Sequence, residues 1–251
     1  MAIVFDLVVL NFWSVGRNSK FDYLGSVLLI QSTSSDICWR TSVGEETSKR
    51  LVEKLVPKVQ GLKLGPWNDE SADINPLITR QAKERVEGLI QRGVDEGADL
   101  KVDGRGATLQ GYENGYFVGG TLFDQVKTDM EIYKTEIFGP VLSVMAPSSY
   151  DEAVDMINAH EYGNGVAIFT RDGDAARNFT DRVDVGMIGV NVPIPVPMAF
   201  HNFGGSKRSK FGDTQMHGPE SIRFFTKMKT ISSRWPSGIK DGYQLAFPTN
   251  D

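Results

Sequence analysis

The chain has almost none of the residues that cross-link or metallate small proteins. Cys38 is its only cysteine among 251 residues, so no internal disulfide can form. A reducing compartment is the simpler expectation. His160, His201 and His217 are far apart, and no Cys/His spacing matches a zinc site. No metal role is therefore expected. Long apolar runs are missing too. The stretch 2-AIVFDLVVLNFWSV-15 is short and interrupted by Asp6, and no Lys or Arg precedes it. It suits neither a membrane span nor a secretory or mitochondrial leader. No membrane partner is expected, and no targeting segment is visible. A net charge of −5 offers no general attraction for nucleic acid. Neither G-x-G-x-x-G nor G-x-x-x-x-G-K-[ST] occurs, and there is no repeat or low-complexity tract.

What is present is ordinary globular sequence. Hydrophobic residues make up 40% and charged residues 24%, enough to bury a sizeable core in one large or two small domains. Residues 1–42 carry a diffuse apolar run and a Ser-rich patch without a period. From Val43 the pattern is regular. Leu51, Leu55, Val59 and Leu62 share a helical face over 45–62, with Pro57 expected to bend or shorten that helix. A second helix is expected from Thr79, as N-cap, to Gly97. Segments 99–104 and 116–123 read as strands. Then strand and helix alternate. Strands are expected at 140–145, 165–170 and 185–192, with helices after a Ser149/Glu152 capping box and over 172–183. That order predicts an α/β fold on a parallel sheet. Ligands of such sheets bind beyond the carboxyl ends of the strands. This directs attention to 191-NVPIPVPMAFHNFGG-205, a stiff, Pro-rich loop that either lines a pocket or packs across the sheet edge. The following 204-GGSKRSKFG-212 carries Lys207, Arg208 and Lys210 and reads as an anion site or, more simply, a solvated basic turn.

Two segments carry a resemblance. The first is 135-TEIFGPVLSV-144 and the second is 203-FGGSKRSKFGD-213. In this order and at this separation they resemble the aldehyde dehydrogenase superfamily. The runs 111-GYENGYFVGGTLFD-124, 160-HEYGNGVAIFTRDGDAARNF-179, 186-GMIGVNVPIPVPMAFHNFGG-205 and 222-IRFFTKMKTISSRW-235 resemble its methylmalonate-semialdehyde dehydrogenase branch. The likeness covers about residues 43–235. It implies the catalytic half of that fold without its amino-terminal cofactor domain. The implied division is a divergent segment at 1–42, the catalytic domain at 43–221, and an oligomerisation strand and tail at 222–251.

The resemblance also implies a chemistry. A cysteine thiolate attacks malonate or methylmalonate semialdehyde, NAD takes up hydride, and the thioester passes to coenzyme A, giving acetyl-CoA or propionyl-CoA. A thiolate suits both the attack and the acyl transfer. Glu136 is expected to bind the hydroxyls of the nicotinamide ribose and Phe138 to pack beside the nicotinamide. Asn191 and Phe203 match substrate-tunnel positions. Cys38 is the nucleophile candidate by place. Its neighbours depart from the family: Ile37 stands where an arginine is expected, and only five residues separate Cys38 from Gly44. A coincidental cysteine accounts for both departures. The partners implied are the semialdehyde and further copies of the chain. The location implied is the mitochondrion in a eukaryote and the cytoplasm in a bacterium. A second expectation is a non-catalytic fragment that joins full-length subunits through 222–235.

Overall fold

The computed structural model describes residues 2–6, 39–43, 45–192, 195, 197–198, 200–202, 204–233 and 235. The helices form where caps and periodicity coincide. α1, Glu45–Gln60, runs on through Pro57 to Gln60. α2, Arg80–Asp95, starts where the Thr79 hydroxyl accepts the Ala82 N–H at 3.1 Å. A short α3 spans Glu131–Lys134. α4, Tyr150–Ala159, is capped by Ser149, which accepts the Glu152 N–H. The expected capping box closes differently: the Glu152 carboxylate accepts from the N–H and hydroxyl of Ser148, one residue further back than Ser149. Those two hydrogen bonds, the hydroxyl first, hold the Glu152 carboxyl below its usual pKa. α5, Gly173–Arg182, is capped by Asp172, and a final short α6 covers Ser221–Phe225.

The strands are β1 Ala2–Asp6, β2 Trp39–Val43, β3 Asp99–Val102, β4 Thr121–Asp124, β5 Val141–Met145, β6 Tyr162–Gly163, β7 Gly165–Phe169, β8 Met187–Val190 and β9 Ser206–Lys207. Seven of them form one sheet in the order β3-β4-β5-β2-β1-β7-β8. β4, β5 and β2 are parallel, as are β7 and β8. β1 runs antiparallel to both β2 and β7, and β3 antiparallel to β4. The fold is α/β as expected, on a mixed sheet: five strands point one way and two point against them. The strand expected over 116–123 is shorter, because 116–119 bonds to loops instead; Gly119 donates to the Gly104 carbonyl and the Tyr116 carbonyl accepts from Leu77.

β5 is buried along its whole length, as its unbroken run VLSVM requires of a central strand. Alternation divides its side chains between two cores. Leu142 and Val144, with Leu122, meet Val52, Leu55 and Val59 of α1. Val141 and Met145, with Phe123, meet Val86 and Ile90 of α2. Each such side chain, fully buried, contributes about 1.5–3 kcal/mol. A third core joins α4 and α5 to β7 through Val154, Ile157, Phe179, Val166 and Ile168.

Candidate functional site

The two edges of the sheet have different contents. β5 begins at Val141, so 136–140 lies at the amino ends of the co-directional strands. β7 and β8 begin there too, after Asn164 and Gly186. At about 3.3 Å per residue, the carboxyl edge is on the order of 15 Å away. Sequence reasoning looked to the carboxyl edge. The structure divides the loop after β8 between the two: Asn191 is at the carboxyl edge, while Gly204 and Gly205 are back at the amino edge against Gly186.

At the amino edge the 136–138 turn is held from outside. Phe138 has φ +54°, a left-handed conformation unusual for an aromatic residue. Ile137 is fully buried. Gly139 presses on α2, where an added Cβ would lie 2.7 Å from Val86 Cγ1. Arg85, also on α2, donates from Nη2 to the Ile137 carbonyl at 2.6 Å and from Nη1 to the Glu136 carbonyl at 3.3 Å. Its guanidinium carbon is 5.7 Å from the Phe138 ring centroid. Glu136 is half-buried, and its Oε1 is shielded from solvent. An ionised carboxylate only accepts hydrogen bonds, so this oxygen suits hydroxyl or N–H donors.

The second turn at this edge is used up by its own structure. Ser206 and Lys207 form β9 against β6. The Ser206 hydroxyl donates to the Gly163 carbonyl, and the Ser209 hydroxyl accepts the Gly163 N–H. Lys207 Nζ donates to the carbonyls of Asn158 at 2.8 Å and Ile157 at 3.3 Å, at the carboxyl end of α4, where a cation complements the helix dipole. Arg208 pairs with Glu161, which raises the arginine's pKa further and keeps it charged. Lys210 donates to the Asp213 carbonyl. The expected basic turn keeps Arg208 exposed to solvent, and it also fastens α4 and β6, with each of its three cations engaged.

At the carboxyl edge, Asn191 has φ +57° and turns its amide onto one peptide. Its Oδ1 accepts the Thr170 N–H at 2.9 Å and its Nδ2 donates to the Thr170 carbonyl at 3.0 Å. It thereby ties the ends of β7 and β8 together. Cys38 and Phe203 lie outside the described residues. Sequence reasoning missed Arg85, whose carbonyl partners are 51 and 52 residues away; no local signal marks it. Among the described residues, no three His, Cys, Asp or Glu are grouped as a metal site. No helix among them is long and apolar enough to cross a membrane.

Residues 32–231 match the model of the aldehyde dehydrogenase family. The chain is 52% identical over 208 residues to a malonate-semialdehyde dehydrogenase of Pseudomonas aeruginosa, a span of 82% of this chain and 42% of that one. It is 47% identical over 203 residues to an acylating, mitochondrial methylmalonate-semialdehyde dehydrogenase of Arabidopsis thaliana, covering 81% of this chain and 33% of the relative. The structure of a protein from Sinorhizobium meliloti that is assigned as a methylmalonate-semialdehyde dehydrogenase and is complexed with NAD superimposes with a TM-score of 0.79 at 56% identity, covering 87% of this chain and 46% of that chain. The chain thus spans less than half the length of these relatives.

Proposed function

The chain belongs to the aldehyde dehydrogenase family, and from that premise we propose that it is the catalytic-domain portion of an NAD-dependent, CoA-acylating methylmalonate/malonate-semialdehyde dehydrogenase. The observation that carries this reading is the 136–138 turn. It carries a half-buried carboxylate and, two residues on, an aromatic ring, on a backbone held in a costly conformation. An acceptor-only carboxylate fits a pair of sugar hydroxyls, and a ring face fits a flat heteroaromatic group. Glu136 would hold the ribose of NAD and Phe138 would pack beside its nicotinamide. NAD supplies the hydride acceptor when bound, and coenzyme A is the acyl acceptor. The Pseudomonas and Sinorhizobium relatives, with their semialdehyde names and the NAD of the latter, support this assignment. Mitochondrial residence in a eukaryotic source follows the Arabidopsis relative; cytoplasmic residence is proposed for a bacterial one.

Titration of NADH fluorescence against the chain tests the cofactor assignment. Glu136→Gln keeps the volume and removes the charge, and should weaken NADH about tenfold, or ~1.4 kcal/mol. Equal affinity in the two proteins overturns it. For Cys38 the measurement is acetyl-CoA formation from malonate semialdehyde: a Cys38→Ala chain that turns over as fast as the parent removes Cys38 from catalysis.

A second reading has its own observation. From α6 onward the chain exposes Ile222, Phe225, Met228, Ile231 and Trp235, with Met228 93% and Trp235 88% accessible. Exposed apolar residues so closely spaced mark an association surface. On this reading the chain joins full-length subunits without catalysing the reaction, and co-purification with such a subunit tests it. Elution apart from that subunit counts against it.

A further inference from the structure

We infer that Arg85 is a positioning residue for the 136–138 turn and, through it, for the nucleotide assigned there; the inference rests on that assignment. One planar guanidinium meets three successive residues. It donates to the Glu136 and Ile137 carbonyls and lies over the Phe138 ring. These carbonyls precede β5, so the sheet ladder does not hold them. Phe138 sits at φ +54°. A non-glycine residue there is strained and persists only where its surroundings over-determine it. Buried Ile137 and the packing of Gly139 on Val86 provide one side of that restraint. Arg85 provides the other, and it is the part that meets the backbone at Glu136 itself. If the turn relaxed, the carboxylate and the ring would swing together, because both hang from the same few torsions. A lysine cannot replace the clasp: it is a point charge without a fork to span two carbonyls or a plane to stack.

The experiment uses the intact chain with Arg85→Gln, Arg85→Lys, Glu136→Gln and, as a control on the same helix, Arg92→Gln. Each is titrated with NADH, melted, and followed by amide hydrogen exchange over 136–141. Both Arg85 variants should bind NADH about tenfold more weakly and exchange faster over that segment. Their melting midpoints should stay within about 4 °C of the parent. Arg92→Gln should match the parent. A lysine that restores full affinity, or a glutamine that never loses it, overturns the positioning role while a weakened Glu136→Gln leaves the cofactor assignment standing. A parent chain that takes up no NADH, or a Glu136→Gln variant that binds like the parent, overturns the assignment and this inference with it.

Discussion

The amino edge of the sheet carries two turns of similar appearance and opposite construction. In 204–209 each polar side chain is spent on the turn's own surroundings: Ser206 and Ser209 on Gly163, Lys207 on the end of α4, Arg208 on Glu161. Its glycines meet another glycine, backbone on backbone. In 136–140 the fastening is supplied by α2, through the guanidinium of Arg85 and the methyls of Val86. The first turn is scaffold. The second is a small platform whose geometry is set by side chains on a separate helix. Both segments carry the family pattern, and the resemblance gives site roles to Glu136 and Phe138 in one and to Phe203 in the other. What separates them is where their side chains go.

Gly186→Ala should produce the largest effect and mark the scaffold turn as unyielding. The new Cβ would lie 2.0 Å from the Gly204 carbonyl oxygen and 2.7 Å from the Gly205 Cα. Backbone cannot swing aside as a side chain can, so a loss of about 3 kcal/mol or more is expected from urea unfolding. A loss below about 1 kcal/mol would erase the contrast.

Gly139→Ala sharpens it. The obstacle there is two side-chain methyls, at 2.7 and 2.8 Å, so the loss should be smaller, about 2 kcal/mol. Truncating the obstacle should relieve it. The double variant Gly139→Ala, Val86→Ala should be less destabilised than the sum of the two single changes by about 1 kcal/mol. Additive losses would show that the turn is not braced by α2.

The smallest effect belongs to the other edge. Asn191→Ala removes two hydrogen bonds to an exposed peptide and should cost about 1 kcal/mol. Because Asn191 has φ +57°, Asn191→Gly should cost less than the alanine change, by about 0.5 kcal/mol. An alanine variant as stable as the parent would mean the two strand ends need no tie.

Much of the framework was legible locally. Thr79 and Ser149 cap the helices they were expected to cap, because a cap is a contact within one turn of chain. The run VLSVM reads as a strand and is one, and the structure buries it on both faces. The mixed character of the sheet was not legible, since β1 and β3 reverse direction through pairings between segments remote in sequence. Nor was the role of Lys207, whose partners are 49 and 50 residues away.

By itself the sequence marked the four longer helices and strands β3, β4, β5, β7 and β8, and it carried the two patterns that mark the family. Periodicity, caps and short motifs act over a few residues, so they survive in the one-dimensional text. The tertiary structure alone decided that 136–140 and 204–209 share one edge, that Asn191 stands at the other, and that Arg85 reaches the Glu136 and Ile137 carbonyls. Each of those depends on strand order and on which sheet face a helix covers. Such choices are made by burying one apolar face against another, and no single segment encodes its partner.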